Sequence, residues 1–320
     1  MNVLYIDPRV HSSYSEMYHI YNGLYDEFSK ISNCFLYQDK VVDIKKIIKL
    51  CPFRPDIIYF GLGWFAGKNF CKIINTENIK IPIVCYIYKP QNFINKKLNF
   101  CKINNAKLIV TSLPDYKNYE KITGIHSERF FQSGDNNIFI DRNLDKIYHV
   151  GCSGALHNST HYPIGAFKTK NLRFRIQEIL KKQKKLNNFL NFSDSIKPRI
   201  LDYNDYSKKV SQSKIWISTL APFGEIPPRF FEIGMSKTLI FTDPIPAPYR
   251  DLFYDGYNCI EFQDDLSDFL IKLNYYLNNW IESKRIINNA YNDFHNNHTW
   301  KNRAELLFKL FEDCIKKNRG

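Results

Sequence analysis

Seven short apolar runs, rich in β-branched residues and bounded by turn residues, constrain this chain more than any other feature. They are Val3–Ile6, Ile57–Phe60, Ile83–Tyr88, Leu108–Thr111, Tyr148–Val150, Ile215–Ser218 and Leu239–Thr242. Runs this short, without polar alternation, predict strands buried on both faces, as in a parallel sheet. Helical patterns lie between them. Leu266, Phe269, Leu270, Leu273 and Leu277 recur at helical spacing, with Asp264 or Asp265 placed as a cap. Leu307, Leu310, Phe311 and Cys314 do the same near the end. Strand and helix in alternation predict an α/β, doubly wound architecture. A chain of 320 residues has room for two such domains. The polar stretch from Ser133 to Asp145 separates one set of strands from a fresh strand at Ile147–Val150. It predicts a hinge, with one domain over 1–140, a second over 141–300, and a closing helix over 301–320.

Composition narrows the class. Hydrophobic residues at 44% and charged residues at 24% describe a globular protein. No apolar run reaches the length of a membrane span, and no N-terminal signal pattern is visible, so the expected location is cytoplasmic. The eight cysteines are scattered with no C-x-x-C pair, which predicts reduced thiols and neither a zinc site nor a disulfide framework. The net charge of +13 permits contact with nucleic acid or a membrane surface. It also follows from a general richness in lysine, so both partners stay minority readings. There is no D-x-D after a strand and no P-loop, and neither a metal nor a resident cofactor is expected.

The stretch Ala221–Asp243, APFGEIPPRFFEIGMSKTLIFTD, carries the most chemistry. Pro227 and Pro228 sit where a helix begins, since proline lacks the N–H that a first turn leaves unpaired. Arg229 and Glu232, three apart, share one face of that helix. A guanidinium beside free backbone N–H groups suits a phosphate, and a carboxylate one turn on suits sugar hydroxyls. Together they fit a nucleotide-sugar. An ordinary surface Arg–Glu pair is the competing account.

The run Arg229-Phe-Phe-Glu232-Ile-Gly-Met-Ser-Lys-Thr-Leu-Ile-Phe-Thr-Asp243 resembles the nucleotide-sugar-binding segment of GT-B glycosyltransferases, and most of all the CgeB-like group. Asp251–Asp265 resembles the loop and strand that follow there, and His298-Thr-Trp-Lys-Asn-Arg303 the group's H-T-x-x-x-R close. The resemblance runs from about Val150 to the C-terminus and is poor before it. It implies two Rossmann-like domains with parallel sheets facing a central cleft, and a final helix, 301–320 here, that crosses back onto the first domain. It also implies metal-independent transfer of a sugar from a nucleotide-sugar to a hydroxyl on a glycan, glycoprotein or lipid-linked saccharide, with retention at the anomeric carbon suggested by the wider family and inversion left open.

Site residues follow from the same reading. Gly151-Cys-Ser153-Gly154 is read as a loop of small residues that lets the donor approach the backbone, with His157 beyond it. Among the basic residues Lys168, Lys170, Arg173 and Arg175, one or more would neutralise the departing diphosphate. Glu232 takes the second position of the paired glutamates found in retaining enzymes. Glu225 falls one place from the first. In the N-terminal domain, His11 is the first candidate for a catalytic base and Asp115 the second, while Trp64 and Lys89 are acceptor-side candidates at strand ends. Two other functions compete: glycosylation of modified bases in DNA, and a catalytically silent binder of nucleotide-sugars or glycans.

Overall fold

The computed structural model describes residues 1–11, 18–39, 41–62, 72–87, 93–156, 165–193, 202–221 and 224–319. For 18–21, 72, 165–171 and 319 it gives the backbone course only. The chain divides into two compact units, Met1–Gln132 with Trp300–Gly320, and Ser133–Thr299.

Unit 1 is built from β1 (Asn2–Ile6), α1 (Tyr18–Ile31), β2 (Asn33–Tyr37), β3 (Val41–Asp43), α2 (Ile44–Leu50), β4 (Ile57–Gly61), β5 (Lys72–Ile74), β6 (Ile83–Ile87), α3 (Ile94–Ile103), β7 (Leu108–Thr111), α4 (Tyr116–Thr123) and β8 (Ser127–Arg129). Six strands form one sheet in the order β2-β1-β4-β6-β7-β8, while β3 and β5 pair apart from it. Every pairing is parallel. Side chains alternate across a pleated strand, so each strand feeds two cores. Val3, Tyr5, Ile57, Tyr59, Val84 and Tyr86 enter one core, with Leu24 and Phe28 of α1. Leu4, Ile6, Ile58, Phe60, Cys85 and Ile87 enter the other, with Ile47 of α2, Leu98 of α3 and Tyr119 of α4. This two-sided burial explains why the strands read as unbroken apolar runs.

Unit 2 comprises β9 (Tyr148–Ala155), α5 (Gly165–Lys182), β10 (Asn188–Ser193), α6 (Tyr203–Ser211), β11 (Ser213–Ile217), α7 (Arg229–Met235), β12 (Leu239–Thr242), β13 (Ile260–Glu261), α8 (Phe269–Asn278) and α9 (Trp280–Asn297). Its sheet is also all parallel, in the order β10-β9-β11-β12-β13. Leu172 and Ile176 of α5, Phe269 of α8 and Ile286 of α9 pack with Val150, Ile215 and Phe241. The last helix, α10 (Trp300–Arg319), belongs to unit 1, where Phe311 meets Phe28 at 5.3 Å and Tyr59 at 6.0 Å.

Two local expectations are corrected. Gly151–Gly154 is not a loop: β9 continues to Ala155, and Gly151, Cys152, Ser153 and Gly154 pair with Phe189, Leu190, Asn191 and Phe192. The small residues serve packing. A Cβ on Gly151 would sit 2.1 Å from the Trp216 ring, so a larger residue in that register would force the buried ring or the strand to shift. Helix α8 starts at Phe269 behind Asp268, not behind Asp264 or Asp265, because Leu266 takes a left-handed conformation (φ 69) that breaks the helical run.

Candidate functional site

Parallel sheets place their ligand sites beyond the C-terminal ends of the strands, at the point where the winding direction reverses. In unit 2 that point lies between β9 and β11, since β10 flanks β9 on one side and β11 on the other. Two arginines meet there. Arg229, in the first turn of α7, donates from Nη1 to the Ser153 carbonyl of β9 at 2.9 Å. Arg173, on α5, donates from Nε to Thr219 Oγ1 at 2.8 Å and from Nη1 to the Ala155 carbonyl at 3.4 Å. Arg173 therefore spans the switch point itself, from the end of β9 to the residues that follow β11. Gly154 leaves room for it, an added Cβ lying 3.2 Å from the guanidinium carbon.

The field around Arg229 is arranged to keep its charge. Burial works against the cation of Arg229, but Tyr206, Glu232 and Cys152 outweigh it and hold its pKa above the usual arginine value. Glu232 is itself buried, one turn into the same helix. Burial pushes the Cys152 thiol up to about 12 against the pull of both arginines, so it carries no thiolate chemistry near neutral pH. Asp243, after β12, accepts from Leu220 N at 2.9 Å and from Thr242 Oγ1 at 3.2 Å. Burial raises its pKa, with the charge of Arg173 among the opposing influences. Pro227 and Pro228 do precede the first turn of α7, Pro228 as its cap residue. The far end of α7 is tied down as well. Lys237 adopts a left-handed φ of 54, and Lys146 Nζ donates to its carbonyl at 2.7 Å and to Thr238 Oγ1 at 2.9 Å.

The other sequence candidates divide by position. Glu225 is buried, and its carbonyl accepts from Ala221 N at 2.9 Å. Arg175, two residues after Arg173 and so on another face of α5, turns away to the Asp265 carbonyl. Lys168 and Lys170 lie on α5 with their side chains outside the described residues, and His157, Trp64 and Lys89 fall wholly outside them.

In unit 1 the switch point lies between β1 and β4. It is occupied by a buried ion pair. Arg9 Nε donates to Asp7 Oδ1 at 2.7 Å, its second guanidinium nitrogen binds Asp7 Oδ2, and its backbone N–H also meets Oδ1 at 3.0 Å. The pair presses on Gly61 at the end of β4, where a Cβ would fall 2.0 Å from Asp7 Oδ2. His11 follows, exposed, with a left-handed φ of 51 and its backbone N–H on Asn22 Oδ1 at 2.7 Å. Its Nε2 stands 3.2 Å from Asp26 Oδ1 on α1, and its ring meets the Tyr25 ring edge-on at 5.8 Å. Asp115 is exposed at the start of α4, after β7. Three strand spacings separate β1 from β7, roughly 14 Å, so His11 and Asp115 do not form a pair. The carboxylate that accompanies His11 is Asp26, which the sequence reading missed. Thr219, Asp243 and the Asp7–Arg9 pair were missed too. Each stands just past the end of a parallel strand, and that position was the available signal.

Among the described residues no group of three or more His, Cys, Asp or Glu side chains is placed to hold a metal ion. No helix among them is long and apolar enough to cross a membrane.

Comparison with known proteins sets this geometry in context. Residues 183–309 match the family described as "Glycosyl transferase-like", a span that covers most of unit 2 but less than half of the chain. No curated protein sequence matches. Among solved structures, HepE from Anabaena in complex with UDP-glucose superposes with a TM-score of 0.58 at 11% identity, over 98% of this chain and 100% of that one. Sucrose-phosphate synthase from Thermosynechococcus elongatus gives 0.63 at 8% identity, over 99% of both chains. An α-glucosyltransferase in complex with UDP and a 13-mer DNA containing an HMU base gives 0.61 at 12% identity, over 99% of both. The fold is the α/β, parallel-sheet fold of GT-B glycosyltransferases, and the second unit carries a glycosyl transferase-like segment.

Proposed function

We propose that this chain is a CgeB-like glycosyltransferase that takes a nucleotide-sugar on unit 2 and moves the sugar to a hydroxyl acceptor. The observation that carries the reading is the placement of Arg173 and Arg229 on the last carbonyls of β9, at the winding reversal of a parallel sheet. Two fixed guanidiniums there match the two phosphates of a nucleoside diphosphate. They would stabilise the charge that grows on the diphosphate as the glycosidic bond breaks, the role a metal ion fills elsewhere. Glu232 would accept from the ribose hydroxyls, and Thr219 would hold Arg173 in register. UDP is the first nucleotide to test, since UDP or UDP-glucose occupies HepE and the DNA-bound α-glucosyltransferase.

His11 is the proposed base, with Asp26 orienting its ring and favouring the imidazolium that forms as the acceptor hydroxyl loses its proton. The test is a thermal-shift screen of nucleoside diphosphates and their sugars. A diphosphate-dependent rise in Tm that vanishes in Arg229→Ala supports the reading, and indifference to every nucleotide counts against it.

A second reading has one specific observation behind it, the whole-chain likeness to the α-glucosyltransferase bound to DNA. Together with the net charge of +13, it makes a DNA base the alternative acceptor. Retention on DNA that falls steeply with salt would favour it over a glycan acceptor.

A further inference from the structure

The N-terminal ends of unit 1's parallel strands form the edge opposite to Asp7, Arg9 and His11. There α3 and α4 finish beside the starts of β7 and β8, and a pocket of about 370 Å³ opens between them. Lys102, Lys107 and His126 line it together with Asn105, Thr123 and Gly124. The end of α10 reaches the same edge. Asn318 Nδ2 donates to the Lys80 carbonyl at 3.5 Å, just ahead of β6, and Lys107 and Lys317 both act on the Cys314 thiol. Lys80, Lys102, Lys107 and Lys317 are exposed, and none has a carboxylate within 4 Å among the described residues. The two acids that flank His126, Glu120 and Glu128, are engaged. Glu128 Oε1 lies 2.8 Å from His126 Nε2, and Glu120 Oε2 lies 3.3 Å from Lys117 Nζ.

Two isoleucines stand uncovered next in sequence to the pocket lining, Ile103 after Lys102 and Ile122 before Thr123. Ile103 is 70% exposed and Ile122 is 51% exposed. Lysines in the last turn of a helix complement its dipole, which accounts for Lys102 and Lys317. It accounts neither for Lys80 and Lys107, which precede strands, nor for bare isoleucines beside them. A nucleic-acid surface would call for arginines and stacking aromatics, and the pocket lining has neither. Exposed aliphatic side chains on a lysine-bearing edge suit an interface where the hydrocarbon enters and the ammonium groups stay with phosphates.

We propose that this edge of unit 1 docks on an anionic phospholipid bilayer, with Ile103 and Ile122 entering the headgroup layer and Lys102 and Lys107 closing on a headgroup phosphate. The proposal is independent of the donor site.

Sedimentation with vesicles of phosphatidylcholine, with and without phosphatidylglycerol, tests it. Wild type should bind only the anionic vesicles, and added salt should weaken it. Each lysine near the surface is worth about fivefold, so Lys102→Glu with Lys107→Glu should lose at least tenfold. Ile103→Asp, or the milder Ile103→Ser, should also weaken binding. The control pair Lys184→Glu with Lys185→Glu, which changes the net charge equally on unit 2, should not. Indifference of wild type to phosphatidylglycerol would overturn the proposal, as would an equal loss in the control pair. Normal vesicle binding by both Ile103 variants would overturn it as well. So would complete release by inorganic phosphate, which marks a free-phosphate site, or tighter binding to a short DNA duplex that Ile103→Asp leaves intact. Unchanged thermal unfolding of each variant confirms that the loss is one of docking.

Discussion

Arg173 Nε donates to Thr219 Oγ1 at 2.8 Å, joining helix α5 to the residues beyond β11. The bond fixes a flexible side chain over the switch point of unit 2, so the cation is in place for the diphosphate of the proposed donor. Pre-organisation of this kind acts on the transition state, because no reorganisation is needed as charge develops. Thr219→Val should therefore lower kcat more than it raises KM for the donor, whereas Arg173→Ala should damage both. Arg229→Ala should weaken nucleotide binding by roughly 1.5–3 kcal/mol, the scale of a hydrogen bond to a charged group. Calorimetric titration with the nucleoside diphosphate checks it, and wild-type affinity in Arg229→Ala would remove this residue from the site.

Turnover should survive chelation. In the proposed mechanism the guanidiniums of Arg173 and Arg229 would supply the positive charge a cation brings elsewhere. Activity in EDTA should match activity without it. Loss in EDTA with recovery on manganese or magnesium would defeat the proposal.

His11 should matter for rate and not for donor affinity. His11→Ala should cost on the order of 10²-fold in kcat, with nucleotide binding nearly unchanged. Asp26→Asn keeps the shape of the pair but removes its charge, so it should lower kcat by less and change the pH profile. Full turnover in His11→Ala would dismiss it as the base while leaving the donor site untouched.

Gly151 should tolerate no side chain. A Cβ would lie 2.1 Å from the buried Trp216 ring, and strand β9 is held by neighbours on both sides. Overpacking in a tight core costs about 1–3 kcal/mol, so Gly151→Ala should lower the denaturant midpoint by a corresponding amount. Gly151→Ala with Trp216→Phe should recover part of it.

Lys146 gives the protein a pH signature. Burial lowers its pKa from 10.5 to about 7 in the folded chain, with Asp141 pulling upward and Lys237 adding to the fall. Between these two values the unfolded chain binds more protons than the folded one. Stability from this group therefore rises with pH above about 7, by at most about 1.4 kcal/mol per unit, and levels off near the unfolded pKa. Below pH 7 both states hold the proton and the contribution is flat. Thermal unfolding from pH 6 to 9 should show the rise in wild type and lose it in Lys146→Met.

Several of these elements could be read before folding. The runs around Ile58, Val84, Val110 and Leu239 declare themselves because a strand buried on both faces must be apolar throughout. The start of α7 is written in Pro227 and Pro228, since the chemistry of a helix start is local. Other strands stayed hidden. β2 and β10, NCFLY and NFLNFS, lie at sheet edges where one side is partly open, so their sequences carry polar residues and no clear pattern. Gly151–Gly154 looked like a loop because small residues serve turns and close packing alike. Only the approach of Trp216 and Arg173 from distant segments separates the two.

The same division runs through the candidate site. The sequence by itself offered the polar candidates Arg173, Arg229, Glu232 and His11. It determined the alternating strands and helices too, because hydrophobic periodicity is set residue by residue. Which charges meet was decided by the tertiary structure alone. Arg173 finds Thr219 and Arg175 does not, and His11 finds Asp26 and not Asp115. The parallel sheet brings strand ends far apart in sequence to one edge, and its strand order fixes the spacing between them. No local pattern encodes that order.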